Sequence, residues 1–267
     1  MNQHILLIGC GNLGHIILNA LTKKKRKLIV YEKQAKIQSV LQKNKKIIVI
    51  KKLSEINLYN IDYILLCIKP VDAINLLKQL KQIDCKESMI ISFVAGLTMK
   101  KIEEMVDVKS VIRIMPNIFI EVQESATAII SNSKIKNLRK KIASDFSFFG
   151  SLIWLNKEEK IDFFTALYGG GPAYFFYFLN ILVNLSQQNN ISLNQSVRLV
   201  LSLLNGATKF IKKNGNNFPK LIKKVTSPKG TTEKAIEIFE KNNLYNIFNK
   251  AIISAEKRAK DLSERTS

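Results

Sequence analysis

Short apolar runs rich in β-branched residues alternate with helix-spaced ones through the first half of the chain. The runs at 4–8, 28–31, 47–50, 63–67, 89–93, 111–115 and 126–130 are continuous rather than alternating, the mark of strands buried on both faces. Between several of them apolar positions recur at helical spacing: Leu13, Ile16, Ile17, Ala20 and Leu21 after the first run, then 71–82 and 97–105. A helix over 135–149 and a short strand at 152–155 close this region. Beyond about 156 the strand pattern stops. Helical runs then cover 157–167, 172–187, 193–213, 219–225, 232–242 and 244–262. The pattern predicts a doubly wound parallel α/β sheet over residues 1–156 and an all-α domain over 157–267.

Residues 163–197 carry no charge at all, a run longer than a bilayer crossing needs. Gly169, Gly170, Gly171 and Pro172 are expected to break it, and Asn180, Asn184, Gln187 and Gln188 follow within a few turns. The most apolar part, 173–183, is too short to span. The expectation is a helix buried between two subunits, with no membrane contact.

Composition narrows the picture further. At 267 residues and 46 % hydrophobic content the chain can build one large core or two ordinary ones. Cys10, Cys67 and Cys85 are odd in number and widely spaced, and no signal peptide precedes them, so the expected compartment is the reducing cytoplasm. His4 and His15 have no partners at ligand spacing, and no metal site is expected. The formal charge of +21 raises the question of nucleic acid. Only six of the 42 basic residues are Arg, the side chain suited to bidentate base and phosphate recognition, and the lysines are scattered. The reading is a solvated basic surface that attracts small anions, with no nucleic-acid partner.

The first strand runs into Gly9-Cys10-Gly11-Asn12-Leu13-Gly14, a G-x-G-x-x-G turn followed by a helix. In a dinucleotide-binding turn of this kind the first glycine permits the sharp bend and the second lets a pyrophosphate approach the backbone. The third lets the helix pack on the sheet with its amides aimed at the anion. Glu32 lies 18 positions after Gly14, where an acidic side chain accepts hydrogen bonds from an adenosine ribose; an ordinary strand-end glutamate would look the same. Glu32 would repel a 2′-phosphate, while Lys33 and Lys36 would attract one. Both NADH and NADPH therefore stay open, with a lean to NADH. The strand ends Cys67-Ile68-Lys69-Pro70 and Val94-Ala95 are placed by the same logic on the cofactor crevice. Later in the chain, Ser227-Pro-Lys-Gly230-Thr231-Thr232 opens a helix; it reads equally as an anion seat or as simple capping.

The ordered set GCGNLG, CIKP, VAG, RIMPN, GGGPAY and SPKGTT, spread over essentially the whole chain, resembles the pyrroline-5-carboxylate reductase family. The resemblance implies a Rossmann domain followed by an all-α dimerisation domain, with a homodimer or a multiple of dimers. It implies an active site between the two domains. It also implies that Gly230, Thr231 and Thr232, with Ser227, grip the substrate carboxylate. Thr232 becomes the catalytic candidate, its hydroxyl against the ring nitrogen, and Glu158 a further substrate-side candidate. This chain departs from the family pattern in four places: Ile118-Phe119 replaces Thr-Pro, both serines around Gly169–Gly171 are lost, Lys223 replaces an Asp and Lys229 a Gly.

The implied reaction delivers a hydride from a reduced nicotinamide to the C=N carbon of 1-pyrroline-5-carboxylate, giving L-proline, the last step of proline biosynthesis. No strong general acid is required, because solvent can protonate the imine nitrogen, in keeping with the absence of His and Cys from the late motifs. Two alternatives belong to other classes. One is a related Rossmann reductase of another imine or keto acid, or a weakened paralogue; the other is a non-catalytic basic protein that binds nucleic acid.

Overall fold

The computed structural model describes residues 4–23, 27–133 and 137–266. It forms two compact units: residues through Gly170 together with those from Ser254 on, and Gly171–Ile253.

In the first unit, β1 (His4–Ile8), α1 (Asn12–Thr22), β2 (Lys27–Tyr31), α2 (Ala35–Leu41), β3 (Ile47–Ile50), β4 (Ile61–Leu66), α3 (Pro70–Leu80), β5 (Met89–Ser92), α4 (Met99–Met105) and β6 (Ser110–Met115) follow in turn. Next come β7 (Ala126–Ser131), α5 (Leu138–Asp145) and β8 (Ser151–Trp154). The eight strands lie in the order β3-β2-β1-β4-β5-β6-β7-β8. Their apolar runs are continuous because both faces are covered. One cluster, with Ile5, Leu7, Ile17 and Val30, packs under α1; the other, with Leu6, Ile64, Leu77 and Ile102, packs under α3 and α4. The expected helix over 135–149 begins at residues outside those described; the described part is α5, then a 3-10 turn at Ser147–Phe149.

One expectation needs correction. β6 and β7 run antiparallel, with Arg113 opposite Ile130, whereas every other pair is parallel. A parallel return needs a crossover of a dozen or more residues. The link here is 116–125, holding only a 3-10 turn at Ile118–Val122. Ser125 fastens it: its hydroxyl accepts from the Asn117 N–H at 2.9 Å and from Thr127 Oγ1 at 2.9 Å. The α5 crossover then restores a parallel β7–β8 pair.

After β8 the chain is helical: α6 (Lys160–Phe164), a π turn at Thr165–Gly169, α7 (Gly171–Gln188), α8 (Leu193–Asn214), α9 (Phe218–Val225), α10 (Thr231–Lys241) and α11 (Leu244–Thr266). The glycine run was expected to break the helix. Gly170 instead keeps right-handed helical backbone (φ −77, ψ −14), and a π turn absorbs the irregularity. Lys160–Gln188 is therefore one run of 29 residues, long and apolar enough by length and composition to cross a bilayer.

In the second unit only Pro172, Ser196, Val200 and Ile252 are buried. Its exposed side chains include Phe175, Phe176, Tyr177 and Phe178. An apolar groove of about 1190 Å³ runs along α7, α8 and α9, lined by Leu185, Leu199, Leu203, Phe210, Ile222 and Val225 among others.

Candidate functional site

β1 lies between β2 and β4, so the strand order reverses on either side of it, and ligands of open α/β sheets bind at such a switch point. Ile8 pairs with Tyr31 on one side and Leu66 on the other, which brings Gly9, Glu32 and Cys67 together just past three adjacent carboxyl ends. Two backbone hydrogen bonds close the join, Gly9 N–H to Tyr31 O at 2.9 Å and Cys67 N–H to Ile8 O at 2.8 Å.

Each glycine of the turn has a distinct steric reason. Gly9 has φ +89, and a Cβ there would lie 2.6 Å from the Cys67 carbonyl oxygen. At Gly14 a Cβ would overlap the Gly9 carbonyl oxygen, so α1 packs on the turn only without a side chain. Around Gly11 nothing lies within 4 Å of the same construction. The space over Gly11 is open, and Gly11 is the N-cap of α1 with no side chain closing the cap. The first-turn amides of an eleven-residue helix thus face an uncrowded approach, which fits a pyrophosphate.

A cavity of about 340 Å³ adjoins this turn. Of the predicted cofactor residues, Gly9, Gly11, Glu32, Lys33, Cys67, Ile68 and Lys69 line it, with Tyr31, Gln34 and Asp72 beside them. Cys10 lies beneath and contributes its amide, Asn12, Leu13 and Gly14 belong to α1, and Pro70 opens α3. Val94 and Ala95 follow β5 and do not line the cavity. Glu32 is 6 % exposed, and its two carboxylate oxygens accept from Cys10 N–H at 2.7 Å and Gln34 N–H at 2.9 Å. Each oxygen keeps a second lone pair for a ribose hydroxyl. Burial first, and the Glu32 charge second, push the Cys10 thiol up to about 11. Cys67 is pushed up further, by burial first and by Cys10 second.

In the second unit, the segment before α10 is a tight turn. The Gly230 N–H donates to Ser227 O at 3.0 Å, Pro228 holds the second position and Lys229 the third with φ +63. Proline followed by a positive φ is the pattern of a type II turn. Glu233 Oε2 accepts from the Lys229 N–H at 2.7 Å and fixes the turn to the helix it precedes. Gly230 is the N-cap, and no side chain closes it, so Thr231 and Thr232 present first-turn amides and hydroxyls. The capping alternative for Thr232 thus has no hydrogen bond behind it.

Glu158, expected on the substrate side, has one oxygen committed elsewhere. Its Oε1 accepts from Arg113 Nη1 at 2.6 Å and from the Met99 N–H at 2.8 Å. Asn117 is likewise held, its side chain accepting from Phe119 N–H at 3.0 Å and donating to Tyr168 O at 3.0 Å. Sequence reading missed both roles.

Two family models match the chain. One, described as pyrroline-5-carboxylate reductase dimerisation, covers residues 158–262. The other, described as NADP oxidoreductase coenzyme F420-dependent, covers 4–96. Pyrroline-5-carboxylate reductase 1 of Bacillus subtilis is 31 % identical over 206 residues, 77 % of this chain and 69 % of that protein. The pyrroline-5-carboxylate reductase of Aquifex aeolicus is 27 % identical over 267 residues, 98 % of each. Among solved structures, the Plasmodium falciparum pyrroline carboxylate reductase with NADP bound matches with a TM-score of 0.84 at 26 % identity, covering 98 % of both chains.

Proposed function

The chain belongs to the pyrroline-5-carboxylate reductase family, and we propose that it reduces the C=N bond of 1-pyrroline-5-carboxylate to give L-proline. The observation that carries this reading is that one chain holds both halves of the required equipment. A glycine turn with an open Gly11 and a buried Glu32 suits a nicotinamide dinucleotide, and an uncapped helix start at Gly230–Thr232 suits a small carboxylate.

When bound, the reduced nicotinamide supplies the hydride. The residues of the chain bind and orient. Gly11 leaves room for the pyrophosphate at α1, Gly9 and Gly14 let the turn and the helix close beneath it, and the Glu32 carboxylate takes the adenosine ribose. The Gly230 amide, expected in the same grip, is spent on Ser227 O in closing the turn, so the amides of Thr231 and Thr232 and the Ser227 hydroxyl seat the substrate carboxylate. The Thr232 hydroxyl holds the ring nitrogen, which gains its proton from solvent as the carbon gains the hydride.

The cofactor is a nicotinamide dinucleotide, and we assign the preference to NADH, because a buried carboxylate at the ribose repels a 2′-phosphate. We further assign the exposed apolar face of α7–α9 to a second copy of the chain, in a homodimer or a multiple of dimers, rather than to lipid. The dimerisation-family match over 158–262 supports that choice. Neither nucleic acid nor membrane enters the reading. Three free cysteines accord with the cytoplasm. Following NADH and NADPH oxidation with 1-pyrroline-5-carboxylate tests the reaction; binding of reduced dinucleotide without turnover of this imine would send the reading to another substrate.

A further inference from the structure

We infer that Arg113 and Glu158 are a pair of positioning residues that set the segment 94–98 of the dinucleotide site. The inference rests on the proposed assignment of Val94 and Ala95 to the cofactor.

Arg113 lies on β6 opposite Ser92, the last residue of β5. From Ser92 the chain enters 93–98 and then α4. The entry is held by backbone and hydroxyl: Phe93 N–H donates to Leu66 O at 3.1 Å, and Val94 N–H to Ser92 Oγ at 3.3 Å. The exit is held from far away in sequence. Met99, first residue of α4, donates its N–H to Glu158 Oε1 at 2.8 Å, and that oxygen is held in turn by Arg113 Nη1 at 2.6 Å. A seven-residue helix has little intrinsic stability, so its first turn depends on such partners. Thr98 Oγ1 supplies the other, accepting from Lys101 N–H at 3.2 Å.

The pair is costly if its role is stability alone. Arg113 is 3 % exposed, and its Nη2 is buried with no hydrogen-bond partner among the described residues. Glu158 is only part-buried, its side chain 23 % exposed, so the desolvation cost falls mainly on Arg113, whose unsatisfied donor makes the pair a weak source of stability. What apolar side chains could not do is hold an amide at a fixed place. The geometry of Arg113 and Glu158 does that: it fixes one oxygen at the point where the segment leaves the cofactor strand end.

The test uses the full-length protein. Met99→Pro removes the donor and displaces the carboxylate while leaving both charges, and proline is well tolerated at the first position of a helix. Glu158→Ala removes the acceptor, and Glu158→Gln keeps an acceptor oxygen without the charge. The affinity for NADH and NADPH is measured by fluorescence titration without pyrroline substrate, beside thermal unfolding and steady-state kinetics. Met99→Pro and Glu158→Ala should weaken dinucleotide binding about tenfold, with the KM for dinucleotide rising more than kcat falls. Glu158→Gln should recover most of the loss. Wild-type dinucleotide affinity in Met99→Pro, or Glu158→Gln as defective as Glu158→Ala, would overturn the inference, whatever the melting temperatures. Because binding is read without the imine, a wild type that binds dinucleotide but reduces no pyrroline would end the proposed reaction and leave this inference standing. A wild type that binds no dinucleotide would end both.

Discussion

The Glu32 carboxylate is hydrogen-bonded to the amide of Cys10, 22 residues earlier and inside the glycine turn, at 2.7 Å. The side chain assigned to the adenosine ribose therefore also holds the turn proposed for the pyrophosphate. In that proposal the two halves of the dinucleotide site share one carboxylate.

That sharing changes what substitution at 32 should do. Glu32→Ser removes the charge that repels a 2′-phosphate, so the ratio of kcat/KM for NADPH over NADH should rise. It also strips two backbone amides, Cys10 and Gln34, of a charged acceptor. A hydrogen bond to a charged group is worth about 1.5–3 kcal/mol, so NADH affinity should fall by roughly tenfold or more. Glu32→Gln, which keeps an acceptor, should change preference with a smaller loss. Specificity constants for both cofactors in all three proteins check this; a wild type strongly preferring NADPH refutes the assignment.

Thr232 offers a cleaner separation of roles. Gly230 caps α10 without side-chain help, so Thr232→Ala should leave the melting temperature nearly unchanged. If the hydroxyl orients the imine nitrogen, kcat/KM should fall roughly tenfold or more, about 1.4 kcal/mol of transition-state binding. Dinucleotide titration should match wild type. Wild-type kinetics in this variant would leave the amides of Thr231 and Thr232, with the Ser227 hydroxyl, as the whole of the substrate grip.

Lys229 stands in a left-handed conformation that a non-glycine residue adopts at a cost of about 1–2 kcal/mol. Lys229→Gly removes that strain but frees the unfolded chain, so the net gain in stability should be at most about 1 kcal/mol. The same change deletes a cation beside the proposed carboxylate seat. Exposed pairs contribute up to about 1 kcal/mol, so the KM for substrate should rise no more than about fivefold and lose part of its salt dependence. Kinetics at two ionic strengths with denaturant unfolding measure both.

Association should be disrupted from the groove. Leu203 is 64 % exposed and lines it, and a carboxylate there would be buried unpaired on pairing. Leu203→Glu should weaken association by about 3 kcal/mol, roughly a hundredfold. Sedimentation at several concentrations should show a dimer or a multiple of dimers for the wild type and monomer for the variant. A stable, active wild-type monomer would contradict the assignment.

Much of this was legible because buried parallel strands leave continuous apolar runs, and the glycines at 9 and 14 meet steric demands that a side chain would break, while Gly11 keeps the space above the turn open. Strand direction at β7 was not legible, because it follows from the length of the 116–125 link and not from any apolar period. The tie between Glu158 and Arg113 spans 45 residues, and that to Met99 spans 59; no local spacing encodes such a contact. The positive φ of Lys229 was hidden by its own identity. Pro228 announces a turn, but a lysine at the next position gives no sign of the left-handed backbone that a glycine would have signalled.

Two sulfurs beside a nucleotide cleft would ordinarily make it the part of the chain most easily damaged by oxidants. Here the environment works the other way. Disulfide exchange, peroxide attack and alkylation all need the thiolate, and burial pushes the Cys10 thiol up to about 11 and the Cys67 thiol further up. Near neutral pH the cleft is chemically quiet. It should keep its binding capacity through storage in air, and thiol reagents should react only slowly near neutral pH with the half-buried Cys67 that lines it.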